Sequence, residues 1–410
     1  MDYRNLFIFL AIILGMAVSI NFPTQGLFND NQQTKSYINH DPIFIDGNKH
    51  FRATIIAKNW FGDGSESTPY VIDRLRIIGP RSSNLIEIRN TDLHFKINNC
   101  ILSGGNGGIF LSNVKNGIIS YNNISKNVCG ISLNYSTNNI ISWDTITHNV
   151  LEGIFLDSSR NSKLSDNIIT DNLWTGVELW DSGNSNLSDN LVTNNNGSGI
   201  ILGRSGGCFI SSNNVSSNKY TGIKLLDSES CILLENFIVH NNLNGISFGN
   251  ASNAKIFNNI VLSNRWFGIR IYDSRRNIFT NNTLSNNHRY GILLESSSKD
   301  NKVIQNDFIG NYGVDYSQAF DDGETNEFLY NYWDEWTSPD TNADGVVDLS
   351  YLIDGNAGNQ DKHPLVSQYL IISRTSDRYG LNTIIGLILL IITLSVLTVL
   401  LFKQKSMRIF

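Results

Sequence analysis

Along most of this chain the hydrophobic residues fall in short alternating clusters, not in long one-sided stripes. Between Gly176 and Asn195, Val177 and Leu179 alternate with Glu178 and Trp180, the two-residue period of a strand. A second apolar mark follows at Leu187 and a third at Leu191 and Val192, with Asn, Ser, Asp and Gly between them. Those residues bond their own backbone and tolerate left-handed φ, so they mark turns. Three short strands are predicted, with no room for a helix. The unit then recurs. Gly followed by Ile or Val stands at Gly108, Gly130, Gly153, Gly176, Gly199, Gly222, Gly245, Gly268, Gly291 and Gly313, at intervals of 22, seven of 23, and 22 again. Self-similarity at such a period predicts a solenoid with one turn per repeat. The denser leucine pattern of a leucine-rich repeat is missing.

In a solenoid, equivalent positions stack at the inter-strand spacing of ~4.8 Å. Ile131, Ile154, Val177, Ile200, Ile223, Ile246, Ile269 and Ile292 make one inward column; Ile141, Leu164, Leu187, Ile210, Leu233, Ile256 and Phe279 make another. Four residues before the Gly stand Asn149, Asn172, Asn195, Asn218, Asn241, Asn264 and Asn287, and nine before it Asp144, Asn167, Asn190, Asn213, Asn236, Asn259 and Asn282. Amides in register can donate to the neighbouring rung and satisfy polar groups turned inward at the corners. Both columns are expected to be structural. The fold class is therefore all-β, a parallel β-helix of about ten coils, a rod of roughly 45–50 Å at the strand spacing.

The flanks carry different signals. Residues 1–20 read as a signal peptide or a retained N-terminal anchor, because the apolar run Leu6–Ile20 is short for a span. Residues 21–37 form a polar linker. An open solenoid end exposes core and unpaired strand edge, so 38–84 is assigned to an N-terminal cap with the opening strands. The β-helix proper is placed at 85–315 and a C-terminal cap at 316–366, where the repeat fails. Leu381–Phe402 is long and apolar enough for a transmembrane helix, and Lys403, Lys405 and Arg408 put the tail, 403–410, in the cytoplasm. The expected product is a rod outside the cell, tethered to the membrane at its C-terminus.

Composition trims the alternatives. With 41% hydrophobic residues, 17% charged and a net charge of −6, the chain is neither disordered nor built for nucleic acid. Cys208 and Cys231 lie 23 apart, hence on adjacent rungs of one column and within reach of a disulfide, with a stack of two small core residues the favoured reading. In the C-terminal cap, Asp340, Asn342, Asp344, Gly345 and Asp348 form D-x-N-x-D-G-x-x-D. Alternating oxygen side chains around a tight-turn Gly suit Ca²⁺, with the Val346 carbonyl as a further ligand. Tyr351 stands where an EF-hand has its bidentate Glu, and a plain Asx-rich turn is the competing reading.

The region from His40 to Leu365 resembles the NosD-type parallel β-helix family, related to pectate-lyase-like carbohydrate-active proteins. The resemblance rests on the Gly-Ile coils with Asn-Asn-Ile corners, on the opening HDPIFIDG…STPYVI, and on the closing NYW…DTNADGVVD…YLIDG…HPL. It implies a right-handed coil, and the family name implies copper delivery to nitrous oxide reductase. Against copper stand the three Met, at Met1, Met16 and Met407, and the scatter of the His. His148 and His240 share a column but sit four rungs apart, roughly 19 Å at the strand spacing.

Candidate chemistry lies on the outward face. Two residues after each Gly come Ser132, Phe155, Glu178, Ile201, Lys224, Ser247, Arg270 and Leu293, a column with no adjoining carboxylates of the kind a paired-acid glycosidase uses. A 46-residue period overlies the shorter one: Trp174, Tyr220 and Trp266 recur, as do Trp180, Leu226 and Tyr272, while Gly197, Leu243, Gly203 and Gly249 fill the rungs between. Duplication of a two-coil unit accounts for this without any function. Exposed aromatics in a row are also how a protein offers flat apolar faces to sugar rings. The expected ligand-binding set is Trp174, Glu178, Trp180, Tyr220, Lys224, Trp266, Arg270 and Tyr272. A membrane-tethered carbohydrate-binding or surface-interaction protein ranks first, since no catalytic constellation is evident. A polysaccharide lyase, epimerase or hydrolase, with Lys224 or Arg270 as base, is the alternative, and a copper-handling accessory protein the second alternative.

Overall fold

The computed structural model describes residues 36–311 and 317–368. They form a right-handed parallel β-solenoid of about eleven turns. Each turn contributes one strand to each of three sheets. In one coil these are Val177–Trp180 in the first sheet, Asn186–Ser188 in the second and Leu191–Thr193 in the third. The next coil repeats them in register, Val177 pairing with Ile200, Leu187 with Ile210 and Val192 with Val215. The first sheet has twelve strands and runs from Ile43–Asp46 to Ala319–Asp321. The pairing thus continues past Gly291 although the 23-residue ruler stops. Ile292 pairs with Ala319, so Gln318 takes the place of the repeat glycine. Gly313 lies outside the described residues.

Alternation along each strand turns one residue in and the next out. Both apolar columns read from the sequence are fully buried, joined by Ile146, Ile169, Val192, Val215, Ile238, Val261 and Leu284 from the third sheet. At ~1.5–3 kcal/mol per buried aliphatic side chain, the core grows by a fixed increment with every coil. The repeat glycine has a steric cause. A Cβ on Gly245 would lie 2.3 Å from the Val261 Cγ1 and 2.7 Å from the Gly268 carbonyl oxygen. Across the open N-terminal end lies one α-helix, Gly47–Lys58, which buries Phe51 and Ile55 against the first rungs; the Phe51 ring sits 4.9 Å from Tyr70 and 5.4 Å from Phe95.

Corners are closed by side-chain columns. Asn195 donates from both its backbone N and its Nδ2 to the Oδ1 of Asn218, at 3.1 and 3.0 Å, and its Nδ2 also reaches the Ile169 carbonyl at 3.1 Å. Asn218 repeats the pattern toward Asn241 and Val192. The residue before each of these asparagines is left-handed: His148, Asp171, Asn194, Ser217, His240, Ser263 and Asn286 have φ of +51° to +57°. That conformation is costly for most L-residues and least so for Asn and Asp, which explains much of the polar composition. Ser159, Ser182, Ser205 and Ser228 form a further column between the first and second sheets, each backbone N donating to the next Oγ, for example Ser182 to Ser205 at 2.9 Å. Cys208 and Cys231 are buried, unbonded, and stack in the column occupied by Ser162 and Ser185.

Every amide column points the same way, donors toward the C-terminal neighbour, and the columns end on acids. Asn326 donates to Asp321 at 2.9 Å, and Asn331 donates to the Oδ2 of Asp361 from both N and Nδ2. Asn311 passes to Gln318, whose Nε2 donates to Asp334 at 2.6 Å and to Glu335. Burial, together with the neighbouring Asp334 carboxyl, pushes Glu335 up to about 7. No helix among the described residues is long and apolar enough to cross a membrane. The apolar runs at 1–20 and Leu381–Phe402 lie outside the described residues.

Candidate ligand-binding face

The first sheet and the corner that leads into it form one continuous outward surface. Across the sheet, Glu178, Ile201, Lys224, Ser247, Arg270 and Leu293 line up on successive rungs, and beside them Trp180, Gly203, Leu226, Gly249 and Tyr272. Pairing across rungs explains the bulky–small alternation. The Trp180 ring lies over Gly203, where a Cβ would come within 2.4 Å of it, and the Tyr272 ring lies over Gly249 in the same way, at 2.3 Å. Each large ring needs a glycine as its floor, so the alternation is a packing requirement along this column.

Polar contacts hold the two rings. The Trp180 Nε1 donates to the Glu178 Oε1 at 2.6 Å, and the Arg204 guanidinium sits 5.0 Å from the indole while pairing with Asp181 at 2.7 Å. Arg270 lies 5.2 Å from the Tyr272 ring and pairs with Glu295 at 2.6 Å. Ser247 points outward but is only 3% exposed, because it lies between Lys224 and Arg270 on the flanking rungs. It is therefore a covered position and not a free surface one.

Trp174, Tyr220 and Trp266 occupy one corner column and keep 48%, 42% and 39% of their surface exposed. Backbone bonds run through that column without a break, from Gly197 to Trp174, Tyr220 to Gly197, Leu243 to Tyr220 and Trp266 to Leu243. Trp266 belongs to a larger group. Arg289 stands 4.9 Å over its ring, and Phe267, Tyr290 and Phe320 follow it in a chain of ring contacts. Beside Tyr220 runs a groove of about 360 Å³ whose polar lining includes Asn194, Asn196, Ser217, Lys219, His240 and Asn242. Burial, with His288 nearby, holds the His240 imidazole below its usual range. Neither Lys219 nor Lys224 takes part in an ion pair among the described residues.

Two acids on this face escape a reading of the outward column alone. Glu152 stands just before Gly153; burial raises its pKa, and the Glu178 charge on the next rung adds to that. Glu178 also leaves its Oε2 buried with no hydrogen-bond partner. Glu295 belongs to the Tyr272 column and reaches Arg270 diagonally, so it too is invisible in the list two after each Gly.

In the C-terminal cap, Asp340 accepts from the backbone N of Asp344 and Gly345, and Asp344 accepts from Val346 N and from the Asn342 Nδ2. Asp348 accepts from Thr341 N and Oγ1, and those bonds lower its pKa. Among the described residues no group of three or more His, Cys, Asp and Glu is placed to hold a metal. For copper the donors do not fit. Burial raises the Cys100 and Cys129 thiols, which works against the thiolate form that copper would bind.

The stacked sheets and their amide columns define a parallel β-helix protein. Two family models match, "Right handed beta helix region" over residues 175–328 and "Periplasmic copper-binding protein (NosD)" over residues 65–230. Jointly they take in 65–328 and, with the fold, support the NosD-type right-handed β-helix family that the sequence motifs resemble. No curated protein matches the chain. Solved structures of similar fold include the Azotobacter vinelandii mannuronan C-5 epimerase AlgE6 A-module, with 13% identity over 71% of this chain and 89% of that one and a TM-score of 0.47. The periplasmic alginate epimerase AlgG matches at 15% identity over 71% and 84%, TM-score 0.46. The catalytic domain of a GH87 α-1,3-glucanase matches at 13% over 72% and 62%, TM-score 0.46.

Proposed function

We propose that this protein is an extracytoplasmic, membrane-tethered β-helix that binds a glycan along the corner and outer face of its first sheet. The observation that carries the reading is the exposure of Trp174, Tyr220 and Trp266 at equivalent positions two rungs apart. Two rungs span about 9.6 Å at the strand spacing, comparable with a disaccharide repeat, so successive sugar units meet successive rings. Trp180 and Tyr272 serve differently from the corner rings: each is laid on a glycine and clamped by charge, and together they shape the floor. Lys219 and Lys224, which lack ion-pair partners, and Arg289 over Trp266 favour acidic sugars. Each contact is weak, and affinity accumulates by repetition along the rod. A family described as periplasmic is consistent with the location outside the cytoplasm.

The test is a glycan array probed with the detergent-solubilised full chain, followed by titration with oligosaccharides of increasing length. Binding should favour acidic glycans, strengthen with length, and fall when Lys219→Gln and Lys224→Gln are combined. An array without signal from the folded protein overturns the reading. Glu152 and Glu178 support a second reading, glycoside hydrolysis. Appearance of new reducing ends from the bound glycan, abolished by Glu152→Gln, would establish it.

A further inference from the structure

The amide column between the second and third sheets contains one residue that is not an amide. From Asn122 through Asn167 to Asn331 every member is Asn except Asp144, which is buried to 1% exposure. In this column an asparagine uses its Nδ2 twice. Asn122 donates to the Ile97 carbonyl at 3.0 Å and to the Asp144 Oδ1 at 2.9 Å; Asn167 donates to the Ile141 carbonyl at 3.0 Å and to the Asn190 Oδ1 at 2.9 Å. Asp144 matches the accepting half of the pattern. Its Oδ1 receives the Asn122 backbone N at 2.7 Å, and its own N donates to the Asn167 Oδ1 at 3.0 Å. The donating half is missing. Its Oδ2 takes the place of the amide nitrogen, buried and without a hydrogen-bond partner.

What faces that oxygen decides its state. The register puts the Asn167 Oδ1 above it and, since Ile119 pairs with Ile141, the Ile119 carbonyl below. Both are acceptors. An ionised Oδ2 would press its lone pairs against theirs in a buried site, whereas a protonated one donates. No cation offsets the charge: Lys126 on the rung below and Lys163 on the rung above are exposed, Asp166 beside Asn167 is an acid, and Cys100, two rungs below, is a thiol raised by burial to about 12.

We propose that Asp144 is a proton-operated link in this column: its neutral carboxyl closes the corner, and its ionisation loosens the rungs on either side. Burial lifts this carboxyl to about 7, which puts the change within reach of ordinary conditions. Trp143, the preceding residue, is held at φ +61° and stacks on Tyr121, itself at φ +59°, with the rings 6.1 Å apart and 6° from parallel. A bulky side chain in the left-handed region depends on its surroundings to stay there, so this exposed pair is the element that ionisation would release. In the unfolded chain the carboxyl titrates near 3.8, as a solvated aspartate does. The native state therefore holds the extra proton between about pH 4 and 7, and stability falls as pH rises through that window and levels off above it.

Hydrogen exchange on the full-length protein, corrected for the intrinsic rate at each pH, tests this directly. Peptides covering 119–168 should lose protection by up to about thirtyfold between pH 5.5 and 8.5, the equivalent of about 1.5 pH units of differential proton binding below a folded value near 7. Peptides from the coils between Asn190 and Asn259 should not. The variant Asp144→Asn restores both amide donations and should abolish the loss, while Glu335→Gln at the far end should leave it in place. Infrared spectroscopy in the Glu335→Gln background, which removes the other carboxyl raised to about 7, gives a direct reading as a carboxylic-acid band near neutral pH that Asp144→Asn removes. Equal pH dependence in wild type and Asp144→Asn, or no such band, overturns the proposal.

Discussion

Asn172 and Trp174 are two residues apart in one corner, and they obey opposite rules. At the Asn172 position the residue is identical on every rung from Asn127 to Asn311, because each side chain is bonded to the one above and the one below. At the Trp174 position successive rungs carry Leu151, Trp174, Gly197, Tyr220, Leu243, Trp266 and Arg289; from Trp174 onward they are joined through backbone, with one side-chain contact, Arg289 over the Trp266 ring. Inside the corner a residue is chosen by its neighbours in the column. Outside, backbone bonds secure the coil, and the side chain is far freer to be chosen by something else. That division lets a solenoid change its surface chemistry without changing its fold.

Three predictions sharpen or break this contrast. The largest effect belongs to the interior. Asn218→Ala strands the Asn195 backbone N, removes a partner from the Asn195 Nδ2 and the side-chain donor from the Val192 carbonyl, and leaves the Asn241 Oδ1 with the backbone donor alone; it should cost about 1–3 kcal/mol, seen as a lower melting temperature. Equal melting of the variant and wild type would show that the column is not internal glue. The exterior should behave in reverse. Trp174→Ala with Trp266→Ala should leave melting within about 0.5 kcal/mol of wild type while weakening glycan affinity roughly tenfold, at ~0.5–1.5 kcal/mol per lost ring. If the double variant unfolds instead, the corner rings are structural and the contrast fails. The smallest effect concerns the loop at Asp340–Asp348. Ca²⁺ should raise the melting temperature through linkage, and Asp340→Ala with Asp344→Ala should cancel the rise. Indifference to both Ca²⁺ and chelator leaves a plain turn.

Much of the interior was readable in the sequence because identity at a fixed spacing is what a column looks like when written linearly. The paired apolar stacks and the asparagines from Asn149 to Asn287 are of this kind. The serine column from Ser159 to Ser228 does not stand out in the sequence, since Ser is common throughout the turns of this chain. Gln318 could not be placed either: the coil after Gly291 has a different length, and only the pairing of Ile292 with Ala319 restores the count. On the outer face the aromatic rows were legible, but their partners were not. Arg204 on Trp180 and Glu295 on Arg270 are diagonal contacts between rungs, and the charge of Glu178 acts on Glu152 diagonally too; a comparison of like positions cannot find them.

The directionality of the amide columns has a consequence for how such a chain can change length. Asp321, Asp361 and the Gln318–Glu335 group take up the donors of the last rung, so the C-terminal end is closed to further coils. Growth or loss must then happen in the middle, by whole coils. Excising residues 196–218 would bring Asn195 to face Asn241 as it now faces Asn218, and the interior would reseal. The outside would not: one missing coil throws Trp174 out of step with Tyr220 and Trp266, whereas two missing coils keep them in phase. Measured this way, the heritable module of the surface is the 46-residue pair, and that of the core is the single coil.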